Sequence, residues 1–137
     1  METVEYGPRG LLGVMTPQAN TTVEPEFQLM WPPGYAMINA RLTSPKKTIE
    51  ERLVDYYDAL EGELAQFANA PIRAVAVACT GASYLVGKAK EEELVARWEA
   101  KAGVPVITAG RAVATLRSIA GMAFGILLLT QHRSSGA

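Results

Sequence analysis

Cysteine and histidine are almost absent from this chain, which excludes several kinds of site. The 137 residues include one cysteine and one histidine. A single cysteine cannot form an internal disulfide and suits a reducing compartment, so we expect a cytoplasmic protein. No cluster of His, Cys, Asp and Glu has metal-ligand spacing, and no Gly-x-Gly-x-x-Gly motif opens a helix. We therefore expect no metal and no other cofactor.

Excess charge and long apolar runs are also lacking. The formal net charge is −1 and 20% of the residues are charged, which gives no electrostatic reason to expect binding to nucleic acid or to an anionic membrane. The apolar stretch 122–130 has about half the length needed to span a bilayer, and the N-terminus has no apolar core of a secretory signal. With 49% hydrophobic residues, the chain has the composition of a globular domain.

Apolar runs alternate with segments of helical periodicity along the chain. This alternation predicts an α/β fold with a parallel sheet of about four to five strands, right-handed crossovers and flanking helices. The predicted strands are 10–15, 35–42, 72–79, 104–108 and 124–130, and the predicted helices are 22–30, 48–67, 88–102 and 109–120.

The only cysteine lies where a predicted strand ends. Cys79 follows the apolar run 72–78 and precedes small, hydrogen-bonding residues. Open parallel sheets bind ligands at the carboxyl ends of their strands. A thiol there is a candidate nucleophile or proton-transfer group, provided that the site stabilises its thiolate. The alternative is a buried structural residue, since unpaired cysteine is among the most buried residue types.

A second polar cluster, 16–26, follows the first predicted strand. It offers the Asn20 amide, two hydroxyls and several backbone N–H groups, which suit the oxygens of a carboxylate. The alternative is a turn and a helix cap, with Thr21 or Thr22 as the N-cap residue. Arg41, at the end of the second predicted strand, is either a ligand for a carboxylate or a surface or loop-bracing residue.

Together these segments carry a resemblance to a known superfamily. Residues 17–26, with the pattern Pro-x-x-Asn-Thr-Thr-x-Glu, resemble the opening of the aspartate/glutamate racemase superfamily. The branch is that of the maleate cis-trans isomerases and arylmalonate decarboxylases. Residues 78–84 resemble its first-half catalytic loop, and 103–117 resemble the segment between its halves. The resemblance implies that residues 1–130 form the first α/β half of a pseudo-symmetric, two-half fold.

The resemblance also implies roles for individual residues. Loss of a proton or of carbon dioxide beside a carboxylate builds negative charge, which neutral donors stabilise without a metal. Cys79 takes the position of the first-half cysteine, where the decarboxylases have glycine, and this favours racemase or isomerase chemistry. The predicted site comprises the catalytic residue Cys79 and the substrate-binding residues Pro17, Asn20, Thr80, Ser83 and Tyr84.

The chain departs from this superfamily after residue 130. Residues 131–137 are a short polar run that contains His132, and there is no second cysteine. We therefore expect a truncated or frameshifted product or a fragment, with an aberrant polar tail to which we assign no role. Apolar surface that a second half would cover predicts a homo-oligomer.

Two functions are consistent with these features. The first is a cofactor-independent racemase, isomerase or decarboxylase that acts on a small carboxylic acid through a cysteine thiolate. The alternative is a non-catalytic α/β domain that binds a small anion or associates only with itself.

Overall fold

A parallel four-stranded sheet forms the centre of the protein. The computed structural model describes residues 4–116 and residue 118. The strand order is β2-β1-β3-β4, and β1 pairs in parallel with both β2 and β3. The strands are β1 (Gly10–Pro17), β2 (Tyr35–Leu42), β3 (Ile72–Val77) and β4 (Val106–Thr108). The predicted α/β class with a parallel sheet is confirmed.

Four helices with described bounds connect these strands. They are α1 (Val23–Met30), α2 (Ile49–Glu63), α3 (Thr80–Val86) and α4 (Lys88–Ala102). A short 3-10 turn, Leu64–Phe67, follows α2, and another helical stretch is described over 109–116. The predicted strand 124–130 and the polar tail 131–137 lie outside the described residues, as does most of 117–120.

Local chemistry sets the ends of the two long helices. Thr48 Oγ1 accepts a hydrogen bond from the Glu51 backbone N–H, and the Glu51 carboxylate accepts one from the Thr48 backbone N–H. This capping box satisfies amide groups that have no partner within the helix. Helix α4 ends at Gly103, whose φ of 69° is in the left-handed region that favours glycine.

Most of the core lies between one face of the sheet and helices α2 and α4. The strands contribute Val75, Val77 and Val106, and the helices contribute Tyr57 and Trp98, whose rings meet edge to face with centroids 5.0 Å apart. Burial of each large apolar side chain stabilises the fold by about 1.5–3 kcal/mol. This packing holds the strands in place, and the loops of the candidate site follow the carboxyl ends of those strands.

Close packing also explains one glycine in the first strand. A Cβ at Gly13 would lie 2.8 Å from Cζ of Phe67, closer than a side chain tolerates. Glycine therefore lets the Phe67 ring lie directly against β1.

Candidate functional site

The loops that carry Asn20 and Cys79 follow neighbouring strands at the same edge of the sheet. Strands β1 and β3 are adjacent and parallel, and the Ala78 N–H donates to the Met15 carbonyl at 2.9 Å. Asn20 lies shortly after the end of β1, and Cys79 lies shortly after the end of β3. The two predicted segments thus share the edge where parallel α/β sheets place ligands.

The Asn20 side chain caps helix α1. Its Oδ1 accepts hydrogen bonds from the backbone N–H groups of Thr22 and Val23, at 2.9 and 3.1 Å, and from the Thr22 hydroxyl at 3.2 Å. Thr22 occupies the N-cap position, as predicted, but its own side chain makes no capping hydrogen bond. Among the residues that the structure describes, Asn20 Nδ2 has no hydrogen-bond partner. The amide nitrogen can therefore donate to a ligand.

Arg41 contacts the loop that contains Asn20. Its Nη1 donates to the Asn20 carbonyl at 2.7 Å and to the Pro17 carbonyl at 3.3 Å. Its Nη2 forms an ion pair with Glu24. These contacts favour the bracing role over the role of a carboxylate ligand.

Cys79 is buried, with 4% of its surface exposed, and it belongs to the hydrophobic core cluster. Burial raises the pKa of the Cys79 thiol, and hydrogen bonds from the backbone N–H groups of Ala82 and Gly81 oppose that rise. Burial is the larger effect, so the neutral thiol is favoured here. The two amides are nevertheless groups that would stabilise a thiolate.

A buried polar network lies one helical turn beyond Cys79. The Tyr57 hydroxyl is 2.7 Å from Ser83 Oγ and donates to Glu91 Oε1 at 3.1 Å. The Gly110 N–H donates to Ser83 Oγ at 3.2 Å. Burial raises the pKa of Tyr57, and the negative charge of Glu91 adds to the rise. The hydroxyl of Ser83, a predicted substrate-binding residue, is thus engaged within the protein.

Sequence reasoning did not assign a role to Tyr57 or Glu91. A signal for Glu91 was present: it lies on the same helical face as Leu94, Val95 and Trp98, all of which are buried. An acidic residue on the apolar face of a helix indicates a buried partner.

The remaining predicted residues lie on α3, at or near the surface. Thr80 is the exposed first residue of the helix, and Tyr84 is 68% exposed. A cavity of about 200 Å³ adjoins this helix; it is lined by Ser83, Tyr84, Gly87, Lys88, Glu91, Glu92, Gly110, Arg111 and Ala114. Pro17 and Asn20 belong instead to the loop that follows β1. The predicted residues therefore fall into two groups, one on the loop after β1 and one at Cys79 and on α3, after β3.

No cluster of three or more His, Cys, Asp or Glu side chains that could hold a metal ion occurs within the described part of the chain. In the same residues, no helix is long and apolar enough to cross a membrane.

A parallel sheet in this order, with polar loops at its carboxyl edge, defines a class of α/β folds that bind small molecules at that edge. Solved structures with a similar fold include those of a maleate isomerase and an arylmalonate decarboxylase. The maleate isomerase Iso from Pseudomonas putida S16 is similar with a TM-score of 0.64 and 19% identity, over 76% of this chain and 46% of that one. A variant of the same isomerase with maleate gives a TM-score of 0.65, 19% identity and the same coverage.

A variant of arylmalonate decarboxylase in its liganded form is similar with a TM-score of 0.62 and 21% identity, over 80% of this chain and 46% of that one. The chain thus spans about half the length of the structures it resembles. No protein-family profile matches the sequence, and no curated protein is similar to it in sequence. The fold that the motifs predicted, that of one half of a racemase-like enzyme, is confirmed.

Proposed function

We propose that this chain is an α/β unit of a cofactor-independent racemase, isomerase or decarboxylase that acts on a small carboxylic acid through Cys79. The observation that carries this proposal is the placement of Asn20 and Cys79 after adjacent parallel strands at one sheet edge. The similar structures support it, since they are structures of a maleate isomerase and an arylmalonate decarboxylase. Maleate and malonates are therefore the first acids to test.

Neutral donors would hold the acid in this mechanism. Asn20 Nδ2 donates to a carboxylate oxygen, with Pro17 shaping the loop. Donors from Thr80 and Tyr84 would stabilise the charge that develops in the transition state, and Ser83 would join them once its hydroxyl leaves its bond to Tyr57. These assignments rest on the resemblance of the two loops.

The Cys79 thiolate would then act in one of two ways. As a base, it takes the proton from the α-carbon, and the electron pair of the C–H bond moves into the carboxylate as an enediolate. As a nucleophile, it forms a C–S bond to a double-bond carbon, and the π pair moves toward the neighbouring carboxylate. Rotation about the new single bond and cleavage of the C–S bond then give the other isomer and return the thiolate.

Proton NMR in D₂O tests the proposal with one assay for each reaction. The full chain is incubated with maleate, with an arylmalonate and with a racemisable 2-substituted acid, and fumarate, loss of carbon dioxide or α-deuteration is followed. We expect turnover of at least one acid, and a loss of about 10³-fold or more in Cys79→Ala. Cys79→Ser is the matched control for packing, and it should be similarly inactive. Equal turnover by Cys79→Ala would refute thiol chemistry.

The burial of Cys79 favours a second candidate, a non-catalytic domain that binds a small anion or associates with itself. A thiol that is 4% exposed with a raised pKa is typical of a structural cysteine. Alkylation by iodoacetamide, followed by mass spectrometry against pH, separates the candidates. Reaction only under unfolding conditions supports the second candidate, and reaction below the ordinary pKa of a thiol supports the first.

We also propose that the chain associates with itself, whichever of the two candidate functions holds. Ile107, Val113 and Leu116 are exposed near β4, next to a cavity of about 570 Å³ that Ile107 and Leu116 line. Exposed apolar surface of this kind favours contact with another chain. We expect dimers or larger oligomers by light scattering at micromolar concentration, and a weaker tendency in Leu116→Glu. A monomeric parent chain would contradict this expectation.

A further inference from the structure

The loop that presents Asn20 needs support from outside itself. Residues 17–22, here called the Asn20 loop, are mostly exposed or half-buried. Within the loop, the Asn20 N–H donates to the Pro17 carbonyl at 2.9 Å. The bonds to Asn20 Oδ1 tie the loop to the start of α1, a helix of only eight residues. These contacts are local, so they do not fix the loop relative to the sheet.

The end of β2 supplies the long-range contacts. The Ser44 N–H donates to Gln18 Oε1 at 2.7 Å. The guanidinium of Arg41 reaches further: Nη1 contacts the carbonyls of both Pro17 and Asn20, and Nη2 pairs with Glu24 at the start of α1. One planar group thus joins the beginning of the loop, its central residue and the helix that follows.

We propose that Arg41 is a positioning residue that fixes the Asn20 amide for binding of a small carboxylate, and that Glu24 neutralises its charge so that Arg41 itself does not bind the acid. This inference rests on the proposed function for the ligand of Asn20. In this arrangement neutral donors such as the Asn20 amide bind the carboxylate of the acid, although the positively charged Arg41 contacts the same loop.

The geometry requires arginine at this position. A guanidinium presents several N–H groups in a fixed plane, whereas lysine presents one nitrogen on a flexible stem. A single ammonium cannot satisfy two carbonyls and a carboxylate in the arrangement that Arg41 adopts. We therefore expect that Arg41→Lys keeps the positive charge but does not hold the Asn20 loop in its position.

NMR of the full chain tests the position of the loop directly. In Arg41→Met we expect the Asn20 side-chain amide signals to shift and broaden. The Asn20 backbone carbonyl loses the hydrogen bond from Arg41 Nη1, so the residue is no longer held in place. Arg41→Lys should show most of the same change. Arg97→Met is the matched control, since Arg97 is an arginine paired with Glu61 away from this loop, and it should leave the Asn20 signals unchanged.

Titration with maleate as the probe tests the functional part. We expect Kd to rise about tenfold or more in Arg41→Met and Arg41→Lys and to stay within about twofold in Arg97→Met, which corresponds to at least about 1.4 kcal/mol for the first two. In Glu24→Gln the contacts to both carbonyls remain and the charge of Arg41 is no longer neutralised, so the affinity should be kept or should rise, and a loss of affinity would contradict the role given to Glu24. The urea midpoints of all four variants should stay close to that of the parent, because partly exposed ion pairs contribute little to stability.

An Asn20 amide signal that is unchanged in Arg41→Met would overturn the positioning role, and a loss of maleate binding together with it would make Arg41 a direct ligand. A changed signal with an unchanged affinity for maleate would also overturn the role, because the position of the amide would then not matter for binding. If the parent chain binds neither maleate nor a malonate, the proposed function fails for these acids, while the amide signals still decide whether Arg41 positions the loop.

Discussion

The two polar loops at the carboxyl edge of the sheet follow adjacent strands and yet have opposite environments. The Asn20 loop is largely exposed and keeps an amide nitrogen available for a ligand. Cys79 is buried among core side chains, and its pKa is raised by that burial. The Asn20 loop is thus open to solvent and to a ligand, whereas Cys79 is enclosed by core side chains.

The helices that follow each strand account for this difference. After β1 the chain enters α1, in which Val23 is the buried residue, so little covers the loop. After β3 the chain enters α3 directly, and α3 packs against α2 and α4. A catalytic thiol would have to become accessible within a packed region. Two predictions test how firmly that region is closed, and a third tests the open Asn20 loop.

The largest expected effect is on the stability of the buried network near Cys79. In Tyr57→Phe the Glu91 carboxylate loses its hydroxyl donor in a buried position, and we expect the free energy of unfolding to fall by about 3 kcal/mol. Urea denaturation measures this change. Tyr56→Phe is the matched control, because Tyr56 is equally buried and no hydrogen bond of its hydroxyl is seen among the described residues. Equal losses in both variants would show that the network contributes nothing specific.

The pH dependence of stability gives a smaller effect, at Cys79. Because burial raises the pKa of the thiol in the folded state, the neutral thiol contributes stability at pH values below the unfolded pKa of about 8.5. This contribution is lost as the pH rises toward the folded pKa. We expect unfolding free energies to fall less steeply from about pH 7 to about pH 9.5 in Cys79→Ala than in the parent. An identical slope would mean that the thiol titrates as it does in the unfolded chain.

The smallest effect concerns the Asn20 loop, where two substitutions separate capping from binding. Asn20→Ala removes the acceptor for the first amides of α1, so the free energy of unfolding should fall by about 1 kcal/mol. Asn20→Asp keeps that acceptor and loses the donor Nδ2. It should keep parental stability in urea and lose maleate binding, as measured by calorimetry. Retained binding in Asn20→Asp would show that Nδ2 does not contact the acid.

Sequence patterns were sufficient for the regular elements. The predicted bounds of β2 and α4 coincide with the observed ones, and the predicted helix 48–67 begins at Thr48, the N-cap residue of α2. Helix α3 was not predicted, because its seven residues are too few to show a helical repeat and begin with small, polar side chains. The predicted strands at 72–79 and 104–108 proved shorter, with observed bounds of Ile72–Val77 and Val106–Thr108.

The candidate site was less completely predictable. Asn20 and Cys79 could be found because each follows an apolar strand, and the resemblance of their loops identified a fold that similar structures share. The hydrogen bonds of Tyr57 to Ser83 and Glu91 could not be found in this way, because they join α2 to two helices that lie far from it in the chain.

The sequence by itself determined the alternation of strands and helices and which loops lie at the carboxyl edge, because periodicity and helix caps are local properties. Only the tertiary structure decided that the thiol is buried while the asparagine amide is open, and that Arg41 binds the loop. Those outcomes depend on which helices pack over each strand end, and such contacts join residues that are distant in the chain.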